Sequence, residues 1–175
     1  MKKTIFILSL FACLSCKNEP QNEQEQEIVT KTEFPQEALS QSMLARDGKP
    51  YTFEQILDLY KGKPILIDVW ASWCPDCIKG MPKLHKLQED FPGITYLFLS
   101  YDKDMESWNN GIEKYNVTGE HYLIQSEWKG GEFRKHIDLT WIPRYMIIDG
   151  DGKIALYNAI EADDENLIST LKELQ

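Results

Sequence analysis

The sequence predicts an α/β fold: a mixed central sheet with helices on both faces. Three observations carry this. Pro64-Ile65-Leu66-Ile67-Asp68-Val69 is an apolar, β-branched run of the kind that forms a strand buried on both sides. Directly after it, Ile78, Met81, Leu84 and Leu87 recur at helical spacing, with Lys79, Lys83 and Lys86 on the other face. A second buried strand follows at Ile94–Tyr101, and the chain closes with a hairpin over Arg144–Asn158 and an amphipathic helix. Strand, helix and strand followed by hairpin and helix make a mixed sheet with cover on both sides.

At 175 residues, 42% of them hydrophobic, the chain is long enough for one domain with a sizeable core. A formal charge of −9 argues against nucleic acid as a partner and against an electrostatic grip on anionic lipid.

Residues 1–16 read as a targeting segment. Lys2 and Lys3 precede an apolar run from Thr4 to Leu14, which is too short to cross a bilayer core of about 30 Å as a helix. Its end resembles a bacterial lipobox, which implies a diacylglyceryl group on the cysteine that becomes the first residue. Two candidates overlap, Leu10-Phe11-Ala12-Cys13 and Cys13-Leu14-Ser15-Cys16. Cys16 closes the apolar run and meets Lys17-Asn18-Glu19 at once, which favours it; Cys13 is the alternative, and a plain secretory signal is the third reading.

Residues 17–41 read as a polar tether, richest in Gln, Glu and Asn up to Glu33, with too little apolar surface to order itself. About 25 such residues reach roughly 85 Å when extended, so the domain stays near whichever membrane holds the lipid. The acidic start resembles signals that send some Bacteroidetes lipoproteins to the cell surface; the periplasmic side is the expectation.

The domain is expected over 42–175. Met43-Leu44 and Tyr51–Phe53 flank the turn Arg46-Asp47-Gly48-Lys49 as a small hairpin, and Thr52 caps a short helix carrying Phe53, Ile56, Leu57 and Tyr60. Phe91-Pro92-Gly93 ends the long helix. Asp104 caps a helix with Met105, Trp108, Ile112 and Tyr115 on one face. Tyr122–Gln125 reads as a short strand, Gly130–Ile137 as a loop with one or two helical turns, and Gly150-Asp151-Gly152 as the hairpin turn. Asp163-Asp164-Glu165 opens the last helix, with Leu167, Ile168, Leu171 and Leu174 inward.

The chemistry gathers at Cys74-Pro75-Asp76-Cys77, where the central strand hands over to the long helix. Cys74 stands at the start of the first helical turn, where free backbone N–H groups and the positive dipole end favour an anion. A thiolate is an anion, so the pKa of Cys74 should fall and its nucleophilicity rise. Cys74 is therefore the expected attacking thiol, near the surface, and Cys77, one turn in, the resolving one. Pro75 suits the first helical position because it has no N–H to leave unpaired. Asp76 is open to two readings. It is a favourable first-turn acid, or a charge that opposes the thiolate, raises the pKa of Cys74 and makes the pair more reducing. Half of a zinc site is the rival reading of the pair, but His85, His121 and His136 show no ligand spacing to complete it. With two of the four cysteines in the targeting segment, no structural disulfide framework is left over.

An Asp inside a strand of Ile, Leu and Val needs a reason, and Asp68 is the candidate proton acceptor and donor for Cys77 if burial raises its pKa toward neutrality. A merely hydrogen-bonded buried Asp is the alternative.

Trp70-Ala71-Ser72-Trp73-Cys74-Pro75-Asp76-Cys77 after an apolar strand resembles the thioredoxin superfamily, in particular its TlpA/ResA-like extracytoplasmic branch. Asp68 stands where thioredoxins carry a buried carboxylate, Pro82 where their active-site helix is kinked, and Ile142-Pro143 where they have a cis-proline. The resemblance covers roughly Leu44 to Leu174. The dipeptide Pro75-Asp76 departs from the Gly-Pro of thioredoxin, which bears on the redox poise.

The resemblance implies a thioredoxin-like fold and a thiol-disulfide oxidoreductase that reduces or exchanges disulfides of exported proteins, in a Bacteroidetes-type envelope lipoprotein. It implies a cis bond that places Ile142 beside the sulfurs, with Trp73, Trp141, Ile142 and Pro143 meeting the substrate and Trp70 in the core. No metal or organic cofactor is expected beyond the dithiol itself, and the chain is expected to be a monomer. Electrons would come from a membrane thiol reductase, and apocytochrome cysteines in cytochrome c maturation are one candidate substrate. A disulfide oxidase or isomerase would share these residues and differ in potential. A binding lipoprotein with a fixed disulfide would show no turnover.

Overall fold

A computed structural model describes residues 31–175. The targeting segment, both lipid-site candidates Cys13 and Cys16, and the tether as far as residue 30 lie outside the described residues.

The fold begins earlier than the expected boundary at 42. Gln36–Leu39 forms a short helix α1, Ala38 is fully buried and Phe34 is in the core, and the Thr32 carbonyl accepts a hydrogen bond from Ile154 N at 2.8 Å. Scattered among Gln and Glu, these few apolar residues make no periodic pattern; only their tertiary partners mark them. Phe34 packs edge-to-face on Phe53 with ring centroids 4.9 Å apart.

Strands β1 (Ser42–Ala45) and β2 (Pro50–Thr52) pair antiparallel, and α2 (Phe53–Leu59) follows directly. Thr52 and Gln55 cap α2 reciprocally, each side chain accepting from the other's backbone N–H, an arrangement that contributes about 1 kcal/mol. Then come β3 (Ile65–Trp70), α3 (Pro75–Asp90), β4 (Thr95–Ser100), α4 (Met105–Lys114), β5 (Glu120–Ile124) and α5 (Glu132–His136). The hairpin β6 (Arg144–Ile148) and β7 (Ile154–Ala159) and the helix α6 (Glu165–Glu173) close the chain. Asp104 and Asp164 accept from backbone N–H groups as the caps of α4 and α6.

The strands form a seven-stranded mixed sheet in the order β2-β1-β5-β4-β3-β6-β7. β3–β4 and β4–β5 are parallel; β3–β6, β6–β7, β1–β2 and β1–β5 are antiparallel. All six residues of β3 are buried, so both faces of the sheet are covered there. Alternation puts Leu66, Asp68 and Trp70 on one face and Ile65, Ile67 and Val69 on the other. The first face is that of α3: a side chain at Gly80 would come within 3.8 Å of the Tyr145 hydroxyl, and Tyr145 stands opposite Asp68 in the β3–β6 register. A second helical layer interlocks through Phe34, Phe53 and Phe133, the last two 5.2 Å apart edge-to-face. The centre of the sheet thus delivers the end of β3 and the start of β6 to the same place.

Candidate active site

Cys74 is the N-cap of α3, and its Sγ accepts from Cys77 N at 3.2 Å. Pro75 follows at the first helical position. Cys74 and Cys77 are both free thiols and both buried, 4% and 2% exposed. Cys74 is therefore less open than a position near the surface would be; the Ile142 carbonyl lies against its sulfur. Accessibility does not separate the two thiols. Electrostatics does.

The Cys74 thiol is pulled down to about 7. The hydrogen bond donated by the Cys77 side chain does most of this; burial works against it, the backbone N–H groups of Cys77 and Asp76 help, and the charge of Asp76 opposes. The Cys77 thiol is pushed far up by burial, by donating to Cys74 and by the charges of Asp68 and Cys74. Beside them Asp68, 2% exposed, is pushed up to about 8, chiefly by burial and then by the Cys74 charge, with the Tyr145 hydroxyl partly offsetting. Among the described residues its Oδ1 has no hydrogen-bond partner, which leaves a site for a proton.

The Ile142–Pro143 peptide bond is cis, and the Ile142 carbonyl lies 3.5 Å from Cys74 Sγ, accepting from the thiol. Pro143 is buried, whereas Trp141 is 57% and Trp73 48% exposed, and Trp70 is wholly in the core. Exposed indoles are uncommon; Trp73 directly precedes Cys74, and Trp141 directly precedes Ile142, whose carbonyl faces the Cys74 sulfur. A groove of about 310 Å³ runs along α3 from this point, walled by Asp76, Lys79, Gly80, Trp141, Pro143 and Ile160. The structure thus brings Cys74, Cys77, Asp68, Pro75, Asp76, Trp73, Trp141, Ile142 and Pro143 to one place.

Several supporting residues carry no signal in the sequence. Asp102, 5% exposed, accepts from Ser72 N at 3.1 Å, Ser72 Oγ at 2.6 Å and Ser100 Oγ at 2.8 Å. It pins the turn between β3 and α3. In the sequence it looks like one more acid in Asp102-Lys103-Asp104. Gly111 of α4 packs on the same turn, since a Cβ there would lie 2.4 Å from that of Ser72. Trp73 donates to the Tyr101 carbonyl at 3.1 Å and packs on Trp128. Tyr145 meets Asp68 only through strand register, which periodicity does not reveal. The histidines stand apart from the site. His121 stacks on Phe98 and its pKa is lowered to about 4 by burial, and His136 bonds Glu132.

Residues 62–154 match the protein-family model described as Thioredoxin-like. The thiol:disulfide interchange protein DsbE of Yersinia pestis is 32% identical over 74% of this chain and 65% of its own length. The thiol-disulfide oxidoreductase ResA of Bacillus thuringiensis is 27% identical over 66% of this chain and 65% of its own. The chain thus spans just under two thirds of these curated relatives. A solved structure from Bacteroides vulgatus, named for thiol-disulfide oxidoreductase activity, superposes with a TM-score of 0.63 at 32% identity, covering 78% of this chain and 87% of that one. Among the described residues, no helix is long and apolar enough to cross a membrane.

Proposed function

The chain belongs to the thioredoxin-like family, and from that premise we propose that it is an envelope thiol-disulfide oxidoreductase that reduces disulfides of exported proteins. The observation that carries this reading is geometric: Cys74 Sγ caps α3 and accepts from Cys77 N, the carbonyl before the cis-proline Pro143 faces that sulfur at 3.5 Å, and Asp68 is buried in the strand that leads to it.

In the first step the Cys74 thiolate attacks one sulfur of a substrate disulfide. A bond forms between Cys74 Sγ and that sulfur, the substrate S–S bond breaks, and the second sulfur leaves as a thiolate that takes up a proton. In the second step Asp68 accepts the Cys77 proton and Cys77 attacks Cys74 Sγ. The Cys74–Cys77 disulfide forms and the first substrate sulfur is released as a thiolate. The substrate gains two electrons and the protein dithiol loses them. Trp73, Trp141, Ile142 and Pro143 hold the extended segment that carries the target sulfur, its backbone beside Ile142.

A Cys74 pKa of about 7 favours reduction over oxidation. It stands with thioredoxin, at about 7, rather than with DsbA, at about 3.5, whose stabilised thiolate makes it a strong oxidant. Pro75 and Asp76 tune that value. The electron donor is a membrane dithiol reductase, and apocytochrome cysteines in cytochrome c maturation are one substrate class. We further propose residues 1–16 as a lipoprotein signal, Cys16 as the lipid site with Cys13 as its alternative, and a tether holding the domain on the periplasmic side. Cys16→Ala should abolish incorporation of labelled lipid; loss with Cys13→Ala alone would move the site.

Equilibration of the Cys74/Cys77 couple with glutathione or thioredoxin tests the central reading. A potential near or below about −250 mV is expected. A value of about −120 to −180 mV would make the protein an oxidase or isomerase, and a pair that never equilibrates would make it a binding protein.

A further inference from the structure

We infer that Arg134 is a positioning residue that holds the two exposed tryptophans beside Cys74, Trp73 and Trp141, as the walls of the substrate cleft. The inference rests on the oxidoreductase reading for the meaning of that cleft, and on geometry for the rest.

Arg134 lies on α5, away from the sulfurs, and its guanidinium makes four contacts. Nε donates to the Leu139 carbonyl at 2.6 Å, one terminal nitrogen to the Trp128 carbonyl at 3.0 Å and the other to the Thr140 carbonyl at 3.3 Å. The group also lies over the Trp128 ring, 4.1 Å from its centroid. Leu139 and Thr140 run directly into Trp141, Ile142 and Pro143, so two bonds anchor the segment that carries one wall and the carbonyl facing Cys74. Trp128 packs edge-on against Trp73 at 6.1 Å and Tyr101 at 5.1 Å, and Tyr101 in turn accepts the Trp73 indole proton through its carbonyl. The stack under Arg134 therefore backs the other wall.

The choice of residue follows from this geometry. Only a planar, forked cation reaches three carbonyls while lying flat on an indole. A lysine is a point charge and cannot keep both. Large aromatic surfaces left exposed need backing to stay in one place, because ordering them costs rotamer entropy. No other described contact ties the Trp73 side of Cys74 to the Trp141 side through a single side chain.

The test uses the full chain with Arg134→Met and Arg134→Lys, two substrates and one spectroscopic probe. A short peptide with an internal disulfide needs the walls; hydroxyethyl disulfide reaches Cys74 without them. Both variants should raise KM for the peptide about tenfold, the size expected for losing a charged hydrogen-bond set, with the effect on KM rather than kcat. The preference for peptide over small disulfide should fall by the same factor. Acrylamide quenching of tryptophan fluorescence should rise in both.

Peptide KM and quenching at wild-type values would overturn the inference. So would a loss confined to kcat, which a merely structural residue gives, or a Lys variant that matches the wild type, which would reduce the role to charge. If Arg134→Met does not fold, Arg134→Lys carries the same expectations. If the wild-type protein turns over neither disulfide, the oxidoreductase reading fails, and quenching alone then decides for or against Arg134.

Discussion

Asp68 and Tyr145 stand opposite one another across the antiparallel pairing of β3 and β6, both buried, on the face of the sheet that carries Cys77. The Tyr145 hydroxyl is itself pushed well above its ordinary range, by burial first and then by the charges of Asp68 and Cys77. A buried carboxyl beside a hydroxyl that keeps its proton has one direction in which to exchange protons, toward the sulfurs.

Asp68→Asn should therefore slow the second thiol step and spare the first. The expected loss is about a hundredfold, within the range of general base catalysis, with accumulation of the Cys74 mixed disulfide visible by mass spectrometry. The rate of that step in the wild type should rise with pH through a limb at or below about 8. It lies at or below that value because the Cys74 charge, one cause of the raised Asp68 pKa, disappears in the mixed disulfide. The limb should vanish in Asp68→Asn.

Stability should follow the same group. Its native pKa is about 8 against an ordinary 3.8, so the native state binds more protons than the unfolded state between those values. The stabilisation from protonated Asp68 is full below about pH 4 and is lost as pH rises toward 8. Denaturant melts of the reduced protein should show this as a decline on the order of a few kcal/mol, absent in Asp68→Asn. Cys74, lowered to about 7 from 9.0, acts the other way and adds stability as pH rises through that narrower window.

The thiolate of Cys74, followed by its alkylation rate against pH, should titrate near 7. Asp76→Asn removes a charge that opposes the thiolate, so the midpoint should move down and the couple become more oxidising. The shift should be small, because that charge ranks last among the causes acting on Cys74. A midpoint that does not move would leave Asp76 as a helix-end acid alone.

Gly111→Ala tests the packing of α4 on the active-site turn. A Cβ 2.4 Å from that of Ser72 must displace one of the two elements, and overpacking of this kind costs about 1–3 kcal/mol. Asp102→Ala should cost about as much by leaving Ser72 and Ser100 donors buried without an acceptor. Both variants should lower the thermal midpoint and slow alkylation of Cys74 together.

Much of the fold is legible in the chain. The expected hairpins, caps and buried strands are present, with β5 starting at Glu120 rather than Tyr122 and β7 at Ile154 rather than Lys153, small shifts at ends set by pairing rather than pattern. The start of the domain was not legible. Phe34 and Ala38 are isolated apolar residues in polar sequence, and their burial depends on Phe53 and on helices far along the chain.

That Cys74 sits at a helix start behind a buried strand, and that an acid lies inside that strand, can be read from the chain alone. Those facts are local: spacing, periodicity and a proline at the first helical position suffice for them. Tertiary structure alone decided that Tyr145 faces Asp68, that Asp102 and Gly111 clamp the turn, and that Arg134 spans from Trp128 to the loop before Trp141. Each is a contact between segments distant along the chain, made by strand register or helix packing. Periodicity says which face a residue takes. It does not say what stands across from it.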